Sequence, residues 1–289
     1  MKITYWLLAG MLSAAPLFAQ WENVKHTNIP RRADGKPNLS AAVPRGPDGK
    51  PDLSGMWWMP NPGPANTGVP PKYLNNSAAD FKPEEVPMQP WAAELFKKRS
   101  AEFSKDFPYT RCLPSGPMIS SFPAPWKLIQ TPGLVVILYE NSTIYRQIFT
   151  DGRILSKDTD PTFMGYSVGH WEGDTLVVET TGYNDKTWLD FSGHPHTDAL
   201  RMTERFHRRD FGHLEVQFTF DDLKAYTKPW TVTVNPQLYL KGPSPRHRQI
   251  EVLQRGRYTK GTNGSPKSTN ASLVCAFLRV SFLLCSRYL

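Results

Sequence analysis

Arg146 lies between Ile144 and Ile148, and Glu204 lies between Met202 and Phe206. In a strand, alternate residues share a face, so each charge falls inside an apolar stripe. A charge buried there must be paired or hydrogen-bonded. Glu140 ends the stripe of Leu134, Val136 and Leu138 and is a third candidate member. Such an Arg/Glu network holds a polar ligand group or serves acid–base chemistry. The bland alternative is an ion pair that ties strands together. Aromatic contact with a ligand falls to Trp57 and Trp171.

Five of the seven histidines lie between residues 170 and 213. His194-Pro195-His196 has Asp190 and Asp198 nearby. A metal site needs three or four convergent ligands. Neither HExxH nor a paired CxxC occurs, so no metal is assigned, and no cofactor either, since a glycine-rich phosphate loop is lacking too. An acid–base enzyme on this chain would use His170 or His196 with Glu179 or Glu204. Gly165-Tyr166-Ser167-Val168-Gly169 fits G-x-S-x-G as a string. A nucleophile elbow needs a strand–turn–helix setting, whereas Ser167 falls inside an expected strand. Cys112 has no base beside it and reads as half of a disulfide.

The elements that must position these groups are mostly strands. The 27 prolines and 20 glycines work against long helices. Alternation and turn chemistry predict eight strands, at 126–130, 134–140, 142–149, 165–171, 175–181, 200–208, 213–220 and 230–235. Short connections between them predict an antiparallel meander. The fold class is therefore mainly β. A lipocalin-like barrel would remove the sticky edges, and a twisted open sheet with the leader packed on it is the alternative. One helix is expected from Pro90 to Ser104, packing by Trp91, Leu95, Phe96 and Phe103.

Five regions follow: a signal peptide at 1–19, a Pro/Gly-rich leader at 20–89, the helix and connector at 90–125, the β domain at 126–240, and a basic tail at 241–289. The leader repeats itself. Asp34-Gly35-Lys36-Pro37-Asn38-Leu39-Ser40-Ala41 returns fourteen residues later as Asp48-Gly49-Lys50-Pro51-Asp52-Leu53-Ser54-Gly55. Asp-Gly and Lys-Pro form turns, so the leader reads as a strap that lays Leu39, Leu53, Trp57 and Trp58 on the main domain.

Lys2, the apolar stretch Ile3–Phe18 and a small-residue site after Ala19 read as a secretory signal. The expected location is periplasmic or extracellular, with no stable membrane insertion after cleavage. The net charge of +8 suggests an anionic partner at first sight. However, residues 241–289 hold nine basic side chains against Glu251 alone, which accounts for the whole excess. A neutral domain with a terminal surplus does not fit nucleic-acid binding. The tail reads as unrelated to the fold, as a shifted reading frame would produce. A basic membrane-surface segment is the other reading.

The block GYSVGHWEGDTLVVETTGYND, from Gly165, resembles a family of uncharacterised exported bacterial proteins, many of them acidobacterial. The resemblance extends to DGKPDLSGMW at 48–57, RCLPSGPM at 111–118, IYRQIFTDGR at 144–153 and LRMTERFHR at 200–208. It spans about residues 34–236. It implies a secreted, β-rich domain and supplies no catalytic assignment. It also implies an acidic segment with Cys-x-Glu-Asn after the last strand, where this chain has Leu240-Lys241-Gly242-Pro243. That departure removes the implied partner of Cys112, for which Cys275 or Cys285 would substitute only by accident, and it fits a shifted frame.

The leading expectation is an exported β domain that binds a small, partly aromatic molecule. One alternative is a periplasmic acid–base enzyme, an isomerase, lyase or hydrolase acting on a sugar or phenolic substrate. The other is an envelope interaction module without a pocket, docking through its leader and an exposed Trp57/Trp58 patch.

Overall fold

Strands form where apolar and polar residues alternate, and ten of them assemble into one sheet. In the computed structural model the described residues are 29–60, 77–102, 105–114, 116–118, 124–156 and 159–240. The expected signal peptide, Phe103 and the basic tail lie outside them. The strands are β1 (Gly55–Trp58), β2 (Trp126–Thr131), β3 (Leu134–Tyr139), β4 (Tyr145–Phe149), β5 (Tyr166–Glu172), β6 (Thr175–Thr181), β7 (Arg201–Arg208), β8 (Leu214–Asp221), β9 (Trp230–Val234) and β10 (Gln237–Leu238). The sheet runs β10-β1-β2-β3-β4-β5-β6-β7-β8-β9 and curls into a half-barrel.

The two ends of this order are neighbours in sequence, separated only by Asn235 and Pro236. Gln237 pairs with Trp58 of β1 on one side and with His213, just before β8, on the other. Leu238 N–H donates to the Gly212 carbonyl at 2.8 Å, and Leu214 N–H to that of Pro236 at 3.0 Å. At this corner the curl brings its own ends together, which leaves fewer unpaired edge groups there.

The eight expected strands are present with small shifts in their ends. The leader adds β1, and β10 was not expected. One connection differs in kind. β4 and β5 are parallel, and they pair only through Ile148 with Ser167 and Phe149 with Val168. Residues 150–165 carry the chain back so that β5 starts at the same end as β4, as a parallel pair requires. Gly165 sits at the re-entry with φ 64°, and a Cβ there would stand 2.7 Å from the Thr181 carbonyl oxygen. Only glycine takes that conformation in that space without strain.

The concave side is filled. Leu176 and Val178 of β6, Phe206 of β7, and Leu214, Val216, Phe218 and Phe220 of β8 are almost wholly buried, with Ile137 of β3 and Ile148 of β4. The only helix of more than one turn among the described residues, α1 (Pro90–Ala101), begins with proline at its first position, where no N–H is needed. Its packing differs from the expected stripe. Ala92 is the buried residue, Phe96 stacks on His194 at 4.2 Å, and Trp91 stays half-exposed with its indole N–H on the Lys224 carbonyl.

Candidate functional site

The strand pattern places Arg146 and Glu204 together on the concave face, as a pair. The Arg146 guanidinium bonds the Glu204 Oε2, with side chains 3% and 0% exposed. Arg146 Nε donates to Ser167 Oγ at 3.0 Å and Nη2 to Thr180 Oγ1 at 2.6 Å. Ser167 and Thr180 bond each other at 3.0 Å. Burial opposes the arginine's charge, but Glu204 beside it holds the guanidinium above its ordinary pKa. Burial raises the Tyr139 and Tyr183 phenols, which flank this charge pair and stay neutral.

The network leaves capacity unused. Arg146 has five N–H donors; Nε and Nη2 serve Ser167, Thr180 and Glu204, and the guanidinium also lies close enough to the Tyr139 hydroxyl to oppose the rise of that phenol's pKa. Glu204 Oε1 and the Tyr139 hydroxyl are buried without a hydrogen-bond partner among the described residues. Buried polar atoms of this kind are ordinarily met by water or ligand.

Glu140 is not on this face. β3 buries Val135, Ile137 and Tyr139 on the side of Arg146, so Tyr139 takes the place expected of Glu140. Glu140 ends the strand instead, and its N–H donates to the Pro125 carbonyl.

Because β4 and β5 separate beyond their two pairs, a cleft of about 400 Å³ opens between them. Arg146 and Ser167 border it from the buried face, and Tyr145, Phe149 and Tyr166, which alternate to the other face of their strands, supply aromatic surface together with Met164. Tyr145 and Ile154 are largely exposed at its mouth. Arg153 stands over the Phe149 ring at 3.7 Å and forks onto Asp151. Pockets that bind small molecules share this build, an apolar lining with a few placed polar groups.

The histidines expected to act as bases are not brought to a carboxylate in the cleft. His170 is exposed on β5 and faces Glu172 at 3.3 Å. Glu179 is exposed on β6. His196 is buried, shares a 2.8 Å hydrogen bond with Thr187 Oγ1 and turns Nδ1 to the Thr197 carbonyl. The expected pairs of His170 or His196 with Glu179 or Glu204 therefore form no unit. Trp57 is fully buried and gives its N–H to the Leu53 carbonyl at 2.9 Å, which makes it core. Trp58 is half-buried, edge-on to Tyr239. Trp171 is half-buried opposite Leu176, outside the cleft lining. Ser167, Thr180 and Tyr139 joined the cluster without being singled out for it.

A second buried knot holds the long loop. Asp190 Oδ1 accepts from the N–H groups of Gly193 and His194. Its Oδ2 contacts His194 Nδ1 at 2.6 Å and accepts from the Ser77 hydroxyl and N–H. Here the carboxylate stands between serine and histidine, so the serine lacks a base and the knot is structural. Among the described residues no three His, Cys, Asp or Glu side chains converge as metal ligands, and no helix is long and apolar enough to cross a membrane. Cys112 is disulfide-bonded, and its partner lies outside the described residues.

Acid should weaken this region, with two distinct onsets. Burial lowers the His196 pKa below 6.5, so the unfolded chain takes up a proton that the fold refuses as pH drops below 6.5. Burial alone would raise Asp190, but His194 and Ser77 hold it below 3.8. Its contribution is present above 3.8 and is lost as pH falls through the lowered folded value. The thermal midpoint should therefore decline from about pH 6.5 downward. His196→Gln should flatten that first decline in a calorimetric series and leave the lower one. An unchanged midpoint from pH 7.5 to 5 in the parent chain would contradict the assignment.

The fold and the cleft together define a curled, mainly antiparallel β-sheet protein with a side opening over a buried ion pair. Comparison with protein-family models, curated proteins and solved structures finds no match.

Proposed function

We propose that this chain is an exported binding protein that holds a small, partly aromatic molecule in the cleft between β4 and β5. The observation that carries this is the short parallel pairing of those strands, which opens about 400 Å³ beside Arg146 and Ser167. Tyr145, Phe149 and Tyr166 offer ring surface, and the buried Arg146 and Ser167 border the cleft with polar groups. The complementary ligand has an aromatic or other flat apolar body and one acceptor, such as a carboxylate, phenolic oxygen or carbonyl. The leader-type signal in residues 1–19 and the resemblance to exported bacterial proteins support a location outside the inner membrane.

A thermal-shift panel of phenolic acids and their neutral esters tests the reading. Aromatic carboxylates should raise the midpoint in a concentration-dependent way. Tyr145→Ala with Tyr166→Ala should weaken binding by roughly 10-fold or more, because aromatic contact is lost. A panel that leaves the midpoint unmoved, or that acts equally on the double variant, would count against the cleft.

A further inference from the structure

The leader's repeat is a repeat of structure as well as of sequence. In each copy a Pro-Arg pair opens a small turn. Arg31 Nη1 donates to the Gly35 carbonyl at 2.7 Å, as Arg45 Nη1 does to that of Gly49 at 2.8 Å. Lys36 N–H meets Asp34 Oδ1 at 3.0 Å, and Lys50 N–H meets Asp48 Oδ1 at 3.1 Å. Asn38 N–H bonds the Pro30 carbonyl and Asp52 N–H that of Pro44. Gly35 and Gly49 have φ of 77° and 74°. Arg31 bridges Pro37 as Arg45 bridges Pro51.

The copies differ in what their arginines grip. Arg45 forks onto Asp174 in the β5–β6 turn, Nη1 to Oδ1 at 2.9 Å and Nη2 to Oδ2 at 2.6 Å. Lys50 Nζ reaches the adjacent Gly173 carbonyl at 3.4 Å. The second copy is thus a fork seated on an acidic turn, Glu172-Gly173-Asp174. The first copy is held to the sheet by backbone hydrogen bonds, Gly212 N–H to the Leu39 carbonyl and Phe211 N–H to that of Ala41, and by the Leu39 side chain packed on Gly212. Its Arg31 has no partner among the described residues beyond the Gly35 carbonyl, and Arg31, Arg32 and Lys36 are exposed around Asp34.

We propose that the first copy, Pro30–Ser40, is a docking fork for an acidic β-turn of another protein, gripped by Arg31 as Arg45 grips Asp174. The chain's own turn cannot fill it, since Asp174 is held by Arg45 and Glu172 by Arg205. A planar guanidinium matches a carboxylate in two parallel bonds, which lysine cannot do. The surplus of cations around Asp34 suits a turn that carries more than one acid. This rests on the leader alone and stands or falls apart from the cleft.

The test titrates the full chain, at low salt, with a backbone-cyclised peptide carrying Trp171–Leu176, followed by NMR. The Arg31 and Lys36 signals should shift and saturate with a dissociation constant on the order of millimolar, as one exposed ion pair allows. Arg31→Ala should abolish the saturable shift, and Arg31→Lys should weaken it by roughly 3-fold or more through loss of the fork. Arg45→Ala should retain it, and a peptide with Asp174→Asn should give none. No saturable shift in the parent chain, an equal shift in Arg31→Ala, or Arg31-dependent binding to phosphatidylglycerol vesicles without binding to the peptide would each overturn the proposal.

Discussion

Glu204→Ala is expected to cost about 3–5 kcal/mol of folding stability, the largest loss from any single change at this site. The reason is the charge left behind. Arg146 is buried at β4, and Glu204 is its only carboxylate partner among the described residues. Removing that carboxylate strands a guanidinium among Ile137, Ile148 and two neutral tyrosines, with neutral hydroxyls such as those of Ser167 and Thr180 to accept from it. Urea unfolding should show a lower midpoint, and a changed slope would mean that the remaining fold has loosened as well. Replacing both partners, Arg146→Met with Glu204→Leu, should recover most of the loss, because an apolar pair needs no compensation. The double variant would also separate stability from function. It should fold, yet lose the polar side of the cleft and with it any acceptor-bearing ligand. A double variant as unstable as Glu204→Ala would mean that packing, and not the stranded charge, sets the cost.

Arg208→Ala is expected to cost about 3 kcal/mol and to loosen the leader. This arginine is buried and has no carboxylate partner within ion-pair distance among the described residues. Its Nη1 donates to the carbonyls of Asp52 and Ser54, its Nη2 to that of Phe211, and its Nε to that of Asp210. Burial pulls its pKa down to about 10. It also lies over the Trp57 ring at 5.0 Å. One side chain thus joins the second leader copy to the β7–β8 turn. Alanine would leave those carbonyls without their donor, and buried acceptors left unsatisfied are what makes such changes expensive. Limited proteolysis should cut the leader near Pro51–Ser54 faster in the variant, while Leu53 and Trp57 lose their hold on the core. An unchanged cleavage pattern would show that the buried Leu53 and Trp57 side chains suffice to hold the strap.

The strands were legible because β7 and β8 alternate cleanly, and the same alternation exposed Arg146 and Glu204 as charges among apolar neighbours. Glu140 was misplaced for a physical reason. Leu134–Tyr139 is apolar on both faces, so alternation does not say which side meets the core, and a one-residue choice swaps Tyr139 for Glu140. The parallel β4–β5 pair was not legible either. It depends on the path of residues 150–165, which carry no periodic signal, and the cleft exists only because of that pairing. The same limit explains the knot around Asp190, where the four-residue spacing to His194 is visible but the Ser77 contact spans 113 residues. The leader repeat was visible as sequence. Its meaning was not, because Asp174 lies 129 residues from Arg45.

Whether the β4–β5 cleft carries a molecule decides between a binding protein and an empty sheet. Native mass spectrometry of the protein recovered from a periplasmic extract asks this directly. The expected spectrum shows a non-covalent adduct of roughly 150–400 Da, in keeping with the cleft's size. It should be lost on collisional activation and absent from a folded variant with Tyr145→Ala and Tyr166→Ala. A bare mass for the parent chain, or the same adduct on the double variant, would contradict the account.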